Sequence, residues 1–206
     1  MKVFWEVDMQ RDFIFQDGKL PVPNGFKIVP NIKKLIEYAL KNEIPILGSV
    51  DRHFKDDLEL KTFPPHCMNG DFCQGVISQL DIKDTLYIPH KVGEMGKYQL
   101  MQYPEIIDLI KNDPQKILFE KQSIDVFTNP HVEYVLEKLD VTEVVVYGVA
   151  IEYCVREAVL GLLKRGIDVT VVIDATKGMD AESSGKVFDE MAEKGAKFVF
   201  LEEVMK

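Results

Sequence analysis

Cysteine is scarce in this 206-residue chain: there are three, Cys67, Cys73 and Cys154. A disulfide framework needs paired and more numerous thiols, so at least one of the three is expected to be free. Glycine (13) and proline (10) are too few for a collagen-like or low-complexity chain. With 46% apolar and 29% charged residues there is also no compositional route to disorder. Long hydrophobic runs are missing as well. The longest, Val144 to Ile151, has eight residues, whereas a bilayer span takes about 20. Basic excess is absent too, since 25 basic residues against 34 acidic ones leave a net charge of −9. Binding to phosphate backbones or anionic lipid depends on Lys and Arg, so nucleic acid and membrane drop out as partners. Glu6 and Asp8 interrupt the opening MKVFWEVDMQRDF where a signal peptide would be apolar, and the cytoplasm is the expected location. Set against a typical domain of about 150 residues, the length favours one domain over 1–206.

What the chain does have is alternation. Short β-branched runs at Lys2 to Asp8, Ile44 to Val50, Thr85 to Pro89, Lys116 to Glu120, Glu143 to Val149, Val169 to Asp174 and Lys197 to Leu201 read as strands. Helical stripes lie between several of them: Ile32, Leu35, Ile36, Ala39 and Leu40; Val132, Val135 and Leu136 behind Asn129-Pro130; and Val155, Ala158, Val159, Leu162 and Leu163 before Gly166. Gly195 ends the last helix in the same way. Strand, helix, parallel strand, repeated, predicts an α/β three-layer, doubly wound sheet. Ligands of such sheets sit at the carboxyl ends of the strands.

Three chemically capable residues stand at those ends: Asp8, Lys121 and Cys154. If their strands are neighbours, a carboxylate, an ammonium and a thiol share one crevice, the parts needed for thiolate attack on a carbonyl with a carboxylate shuttling the proton. Cys154 opens a helix, whose free N–H groups and dipole favour a thiolate. The backbone N–H groups of Ala150 and Cys154 are placed to hold the resulting oxyanion. Singly, each residue has a plainer reading, as a buried apolar thiol, a turn cap and a solvated strand end.

A second constellation lies in the charge-rich stretch from Asp51 to about Leu80, too long for an idle connection. Asp51 and His53, two apart in extended chain, point the same way. With His66 of the FPPHC segment they make two imidazoles and a carboxylate, a set for zinc, iron or manganese with positions left open. His53, His66, Cys67 and Cys73 form a rival closed zinc site, although their C-x5-C spacing is unusual for one. His90 and His131 read as structural.

VDMQRDF, DRHF, FPPHC, the FEK lysine, GVAIEYCV and VVIDATKG, in this order over nearly the whole chain, resemble the isochorismatase-like cysteine hydrolases, most closely the nicotinamidase branch. The resemblance implies a mainly parallel six-stranded sheet and a catalytic triad at Asp8, Lys121 and Cys154. It also implies a cis peptide before Ala150 that sets the oxyanion hole, and a divalent metal, zinc first, on Asp51, His53 and His66. The implied reaction is hydrolysis of nicotinamide to nicotinate and ammonia through a Cys154 thioester, with the ring held between Phe13 and Phe63. A different small amide or carbamoyl compound on the same triad is one alternative. A metal-bound water attacking beside a structural Cys154 is another. The chain departs from the pattern at Phe63, where Trp is common, and at Ile151-Glu152, where Thr-Asp is usual. Helix surfaces of mixed charge show no self-association seam, which leaves a homo-oligomer open.

Overall fold

The computed structural model describes residues 1–92, 97–98, 103–110 and 114–206. Its strands are β1 (Lys2–Val7), β2 (Ile46–Asp51), β3 (Thr85–Ile88), β4 (Lys91–Val92), β5 (Lys97–Tyr98), β6 (Lys116–Lys121), β7 (Glu143–Val149), β8 (Asp168–Lys177) and β9 (Lys197–Val199). Its helices are α1 (Arg11–Ile14), α2 (Val29–Lys41), α3 (Tyr103–Ile110), α4 (His131–Lys138), α5 (Arg156–Lys164), α6 (Ala181–Glu193) and α7 (Leu201–Val204). Seven strands form one parallel sheet in the order β3-β6-β2-β1-β7-β8-β9. The short β4 and β5 pair antiparallel on their own.

This is the expected three-layer α/β architecture, with the strand count corrected from six to seven. Each of the seven β-branched runs enters the sheet. The edge strands β3 and β9 are only four and three residues long, as befits strands that have one neighbour to pair with. One sheet face carries Val3, Trp5 and Val7 of β1 against α4 and α5; the other carries Phe4 against α2. The stripes read from periodicity form these layers, except that Leu40, in the last turn of α2, is 37% exposed. Asn129 Oδ1 accepts the His131 N–H at the start of α4, the cap expected ahead of Pro130. Gly166 and Gly195 follow α5 and α6 at φ of +75° and +104°, which only glycine adopts without steric cost. Among the described residues no helix is long and apolar enough to cross a membrane.

One buried ion pair spans three strands. Glu6 of β1 accepts from Lys116 Nζ of β6 at 2.5 Å, and the residue of β2 paired with Glu6 is Gly48. A Cβ at Gly48 would stand 2.1 Å from the Glu6 carbonyl oxygen, so glycine lets β1 and β2 approach there. Burial raises the Glu6 carboxyl above its ordinary value, against the pull of Lys116. A carboxyl raised in the folded state gives stability at low pH that is lost as pH climbs through its folded value. Lys116→Met strands the carboxylate and is expected to cost about 3 kcal/mol at pH 8, and distinctly less at pH 5, nearer the range in which the raised carboxyl takes up a proton. Urea unfolding at the two pH values checks this; an equal loss at both would contradict the assignment.

Candidate active site

The strand order lays β6, β2, β1 and β7 side by side, so residues at their carboxyl ends become neighbours. Asp8 follows β1 with φ of +48° and is buried. Ser49 Oγ donates to its Oδ1 at 2.7 Å, and Lys121 Nζ lies 2.9 Å from its Oδ2. Lys121 closes β6 in register with Asp51, the last residue of β2. Its ammonium also donates to Asp51 Oδ1, and to Cys154 Sγ at 3.3 Å. Cys154 sits in a single π-helical turn, Ile151–Val155, between β7 and α5. Gly148, at φ of +124°, lets β7 pass so close to β1 that a Cβ would lie 2.1 Å from the Val7 carbonyl oxygen. The Val149-Ala150 peptide is cis, as the resemblance implies. The Ala150 carbonyl then accepts from the N–H groups of Tyr153 and Val155.

The three predicted strand-end residues therefore meet, and Asp51 joins them. Burial works against the Lys121 charge, but Asp51 and Asp8 hold it well above its ordinary value. Burial pushes the Cys154 thiol well up, and the Asp8 charge pushes it further. Asp8 is raised as well, by burial more than by Asp51, with Lys121 pulling the other way. The sulfur is thus a thiol beside a carboxylate of increased basicity and an ammonium, groups able to take its proton and to stabilise a thiolate.

Asp51 has a second oxygen with other neighbours. Its Oδ2 lies 3.4 Å from His66 Nε2 and 3.7 Å from His53 Nε2. Glu59 Oε1 lies 3.6 and 3.8 Å from the same two nitrogens. All four residues place a ligand atom within 4.8 Å of one another. Asp51 Oδ2, Glu59 Oε2, His53 Nε2 and His66 Nε2 are buried with no hydrogen-bond partner among the described residues. Three of these orphaned atoms, on Asp51, His53 and His66, converge with Glu59 Oε1 in one place, which is what a bound cation would satisfy. The far ring nitrogens are engaged: His53 Nδ1 with Asp57 Oδ2 at 3.2 Å, and His66 Nδ1 with the Pro64 carbonyl at 2.8 Å. That arrangement turns each Nε2 lone pair inward. Although burial opposes it, Asp51 and Glu59 raise the His66 imidazole to about 10, a field that favours a cation. Two imidazoles and two carboxylates suit a divalent metal.

Glu59 escaped the sequence reading because nothing in Leu58–Lys61 marks it; only the 3-10 turn there carries it in. Gln10 and Asp12, inside VDMQRDF, also gain a purpose. Gln10 accepts the Asp51 N–H and donates to the Asp51 carbonyl, each at 2.7 Å. Asp12 accepts the Cys67 N–H at 2.7 Å, and the Cys67 carbonyl accepts the His53 N–H at 2.9 Å. Cys67 is thereby part of the loop's frame. The rival zinc set is not assembled, because neither Cys67 nor Cys73 belongs to a ligand cluster among the described residues. Over the triad opens a cavity of about 460 Å³, counting its mouth, whose walls include Phe13, Phe63, Ile124, Tyr153 and Met179. Phe63 meets Tyr153 edge-on at 5.3 Å between ring centroids, and Phe13 lies 5.3 Å from the His66 ring. Both predicted ring-holding residues thus line the cavity.

Known proteins share this arrangement of chain. The model of the isochorismatase domain matches residues 5–95 and 101–203. The chain belongs to the isochorismatase family. The nicotinamidase of Saccharomyces cerevisiae is 27% identical, covering 93% of this chain and 95% of its own. That of Escherichia coli is 26% identical, covering 92% and 90%. The crystal structure of the Pyrococcus horikoshii pyrazinamidase in complex with zinc matches at 24% identity and a TM-score of 0.72, over 97% of this chain and 98% of that one. This isochorismatase-family protein is, as expected, an enzyme that hydrolyses amides, and its donor set is a candidate site for a divalent metal. Asp57→Ala, which frees the His53 ring, is expected to weaken zinc binding by about 10- to 100-fold. Calorimetric titration of zinc into chelator-stripped protein measures it, and Glu59→Gln in the same titration tests the fourth ligand.

Proposed function

We propose that the enzyme hydrolyses nicotinamide to nicotinate and ammonia through a thioester on Cys154. The observation that carries this reading is the meeting of Cys154 Sγ, Lys121 Nζ and the Asp8 carboxylate at the floor of an aromatic-walled cavity. Full-length similarity to two nicotinamidases supports the choice of amide.

The neutral carboxamide lies in the cavity with its ring between Phe13 and Phe63. Asp8 takes the thiol proton, and the Lys121 ammonium, in reach of both partners, stabilises the thiolate as it forms. Sulfur adds to the amide carbon. The N–H groups of Ala150 and Cys154 receive the developing oxyanion. Protonated Asp8 then gives its proton to the departing nitrogen, and ammonia leaves a thioester behind. In the second half Asp8 deprotonates a water, which adds to the thioester; the proton returns to sulfur and the carboxylic acid is released. Asp51, His53, Glu59 and His66 would hold a divalent metal, zinc being the first choice, that supplies a Lewis-acidic centre on the cavity wall for a ring nitrogen.

Cys154→Ala is expected to abolish ammonia release from nicotinamide while the protein stays folded, and Asp8→Asn to reduce kcat by at least about 10²-fold. A panel of nicotinamide, pyrazinamide and a carbamoyl amino acid, assayed for ammonia, decides the amide. Turnover surviving in Cys154→Ala would refute the thioester and favour attack by water. A higher kcat/KM on the carbamoyl compound would refute the ring amide.

A further inference from the structure

Glu152 lies two residues before the nucleophile, and its carboxylate has no part in the chemistry above. It faces away from the triad, toward the segment between β8 and α6. Oε1 accepts from the N–H of Met179 at 3.0 Å, the N–H of Asp180 at 3.3 Å and the Ser184 hydroxyl at 2.6 Å. Oε2 accepts from the Met179 N–H at 2.9 Å. One side chain thus ties the turn that carries Cys154 to the segment that carries Met179, a wall of the cavity. Gly178 makes room for it. A Cβ there would stand 2.2 Å from Ser184 Oγ and 2.5 and 2.6 Å from the two Glu152 oxygens.

Burial of Ile151, Cys154 and Val155 and the Lys121 contact hold the turn from the sheet side. It is a single π-helical turn, and the Ala150 carbonyl holds it from the β7 side through Tyr153 and Val155. On the other side lies Glu152. We propose that Glu152 is a positioning residue: it sets Cys154 against Lys121 and Met179 against the substrate at once, so that nucleophile and cavity wall move as one piece. The coupling to substrate rests on the amide-hydrolase reading, whereas the coupling to the thiol does not.

The test compares Glu152→Ala, Glu152→Gln, Gly178→Ala and the double variant Glu152→Ala/Gly178→Ala. Losing several hydrogen bonds to a charged acceptor is expected to lower kcat/KM for nicotinamide by roughly 10- to 100-fold in Glu152→Ala, with kcat falling and KM rising. Gly178→Ala, which evicts the carboxylate without removing it, is expected to reproduce that loss. The double variant is expected to be no worse than either single one. Glu152→Gln keeps an oxygen at the Oε1 position, where three of the four contacts are made, and is expected to recover most of the activity. Alkylation of Cys154 by iodoacetamide, followed by mass spectrometry of the peptide that carries it, is expected to slow in Glu152→Ala and Gly178→Ala as the thiol leaves the ammonium. This readout needs no substrate, so it stands even if nicotinamide is not hydrolysed. Wild-type alkylation rates in both variants would overturn the proposal. So would additive losses in the double variant, or a lowered thermal midpoint in Glu152→Ala that alone accounts for lost activity. Should Glu152→Ala fail to fold, Gly178→Ala and Glu152→Gln carry the same comparison.

Discussion

A fully buried ammonium costs several kcal/mol unless anions face it, and the carboxyl edge of this sheet is organised around the one on Lys121. Asp8 and Asp51 face it from β1 and β2, and the sulfur of Cys154 completes its surroundings from β7. Each of the charged groups would be unstable there alone. A lone carboxylate would take up a proton, a lone ammonium would lose one, and a thiol far from a cation would have no route to thiolate. The adjacency of β6, β2, β1 and β7 and the Asp51-Lys121 register make the cluster possible. The cluster in turn penalises any slip of register, since one residue of shift would leave charges buried without partners.

Asp51 links this cluster to the loop that follows it. One oxygen serves Lys121 and the other faces two imidazoles. Lys121 and then the imidazoles outweigh burial and hold the carboxyl well below the usual range. The loop keeps the imidazoles in place by anchoring itself to the first strand's exit. Gln10 brackets the Asp51 backbone as an extra strand residue would, and Asp12 holds Cys67, which holds His53. A long segment without a strand of the main sheet is thereby tied to the exit of β1 at Asp51, His53 and Cys67.

Much of this was legible in the residues, for identifiable reasons. Asp8, Lys121 and Cys154 were visible because a parallel sheet has only one place for chemistry, the carboxyl ends of its strands. Asp51, His53 and His66 were visible because an alternating pair of ligands next to FPPHC has few other uses. Glu59 was not, since one acid among many in a charged loop carries no local signal and a 3-10 turn decides its direction. The Glu6-Lys116 pair was hidden for a different reason: contacts across three strands depend on strand order, which hydrophobic pattern alone does not fix. The strand count shows pattern and resemblance disagreeing, with the seven β-branched runs the better guide. Ile151-Glu152 was noticed only as a departure from the family pattern, while the hydrogen bonds that explain Glu152 lie in a segment nearly thirty residues away.

The charges of the site also constrain what completes it. Asp8, Asp51 and Glu59 bring three carboxylates together against the single ammonium of Lys121. Asp57, beside His53, is matched separately by Lys91. Ligation of a cation through both Nε2 atoms would require neutral imidazoles, and the protein groups would then sum to −2 in a place with little water to screen them. A monovalent cation would leave the site negative, and repulsion would drive Asp8 toward its protonated form, unable to accept the thiol proton. A dication on Asp51, Glu59, His53 and His66 would bring the sum to zero, favouring the ionised form of Asp8 and leaving the cavity neutral. The candidate cation set and the thiol cluster thus lie side by side, sharing Asp51, and a cation on the first would offset the charge that the second leaves uncompensated.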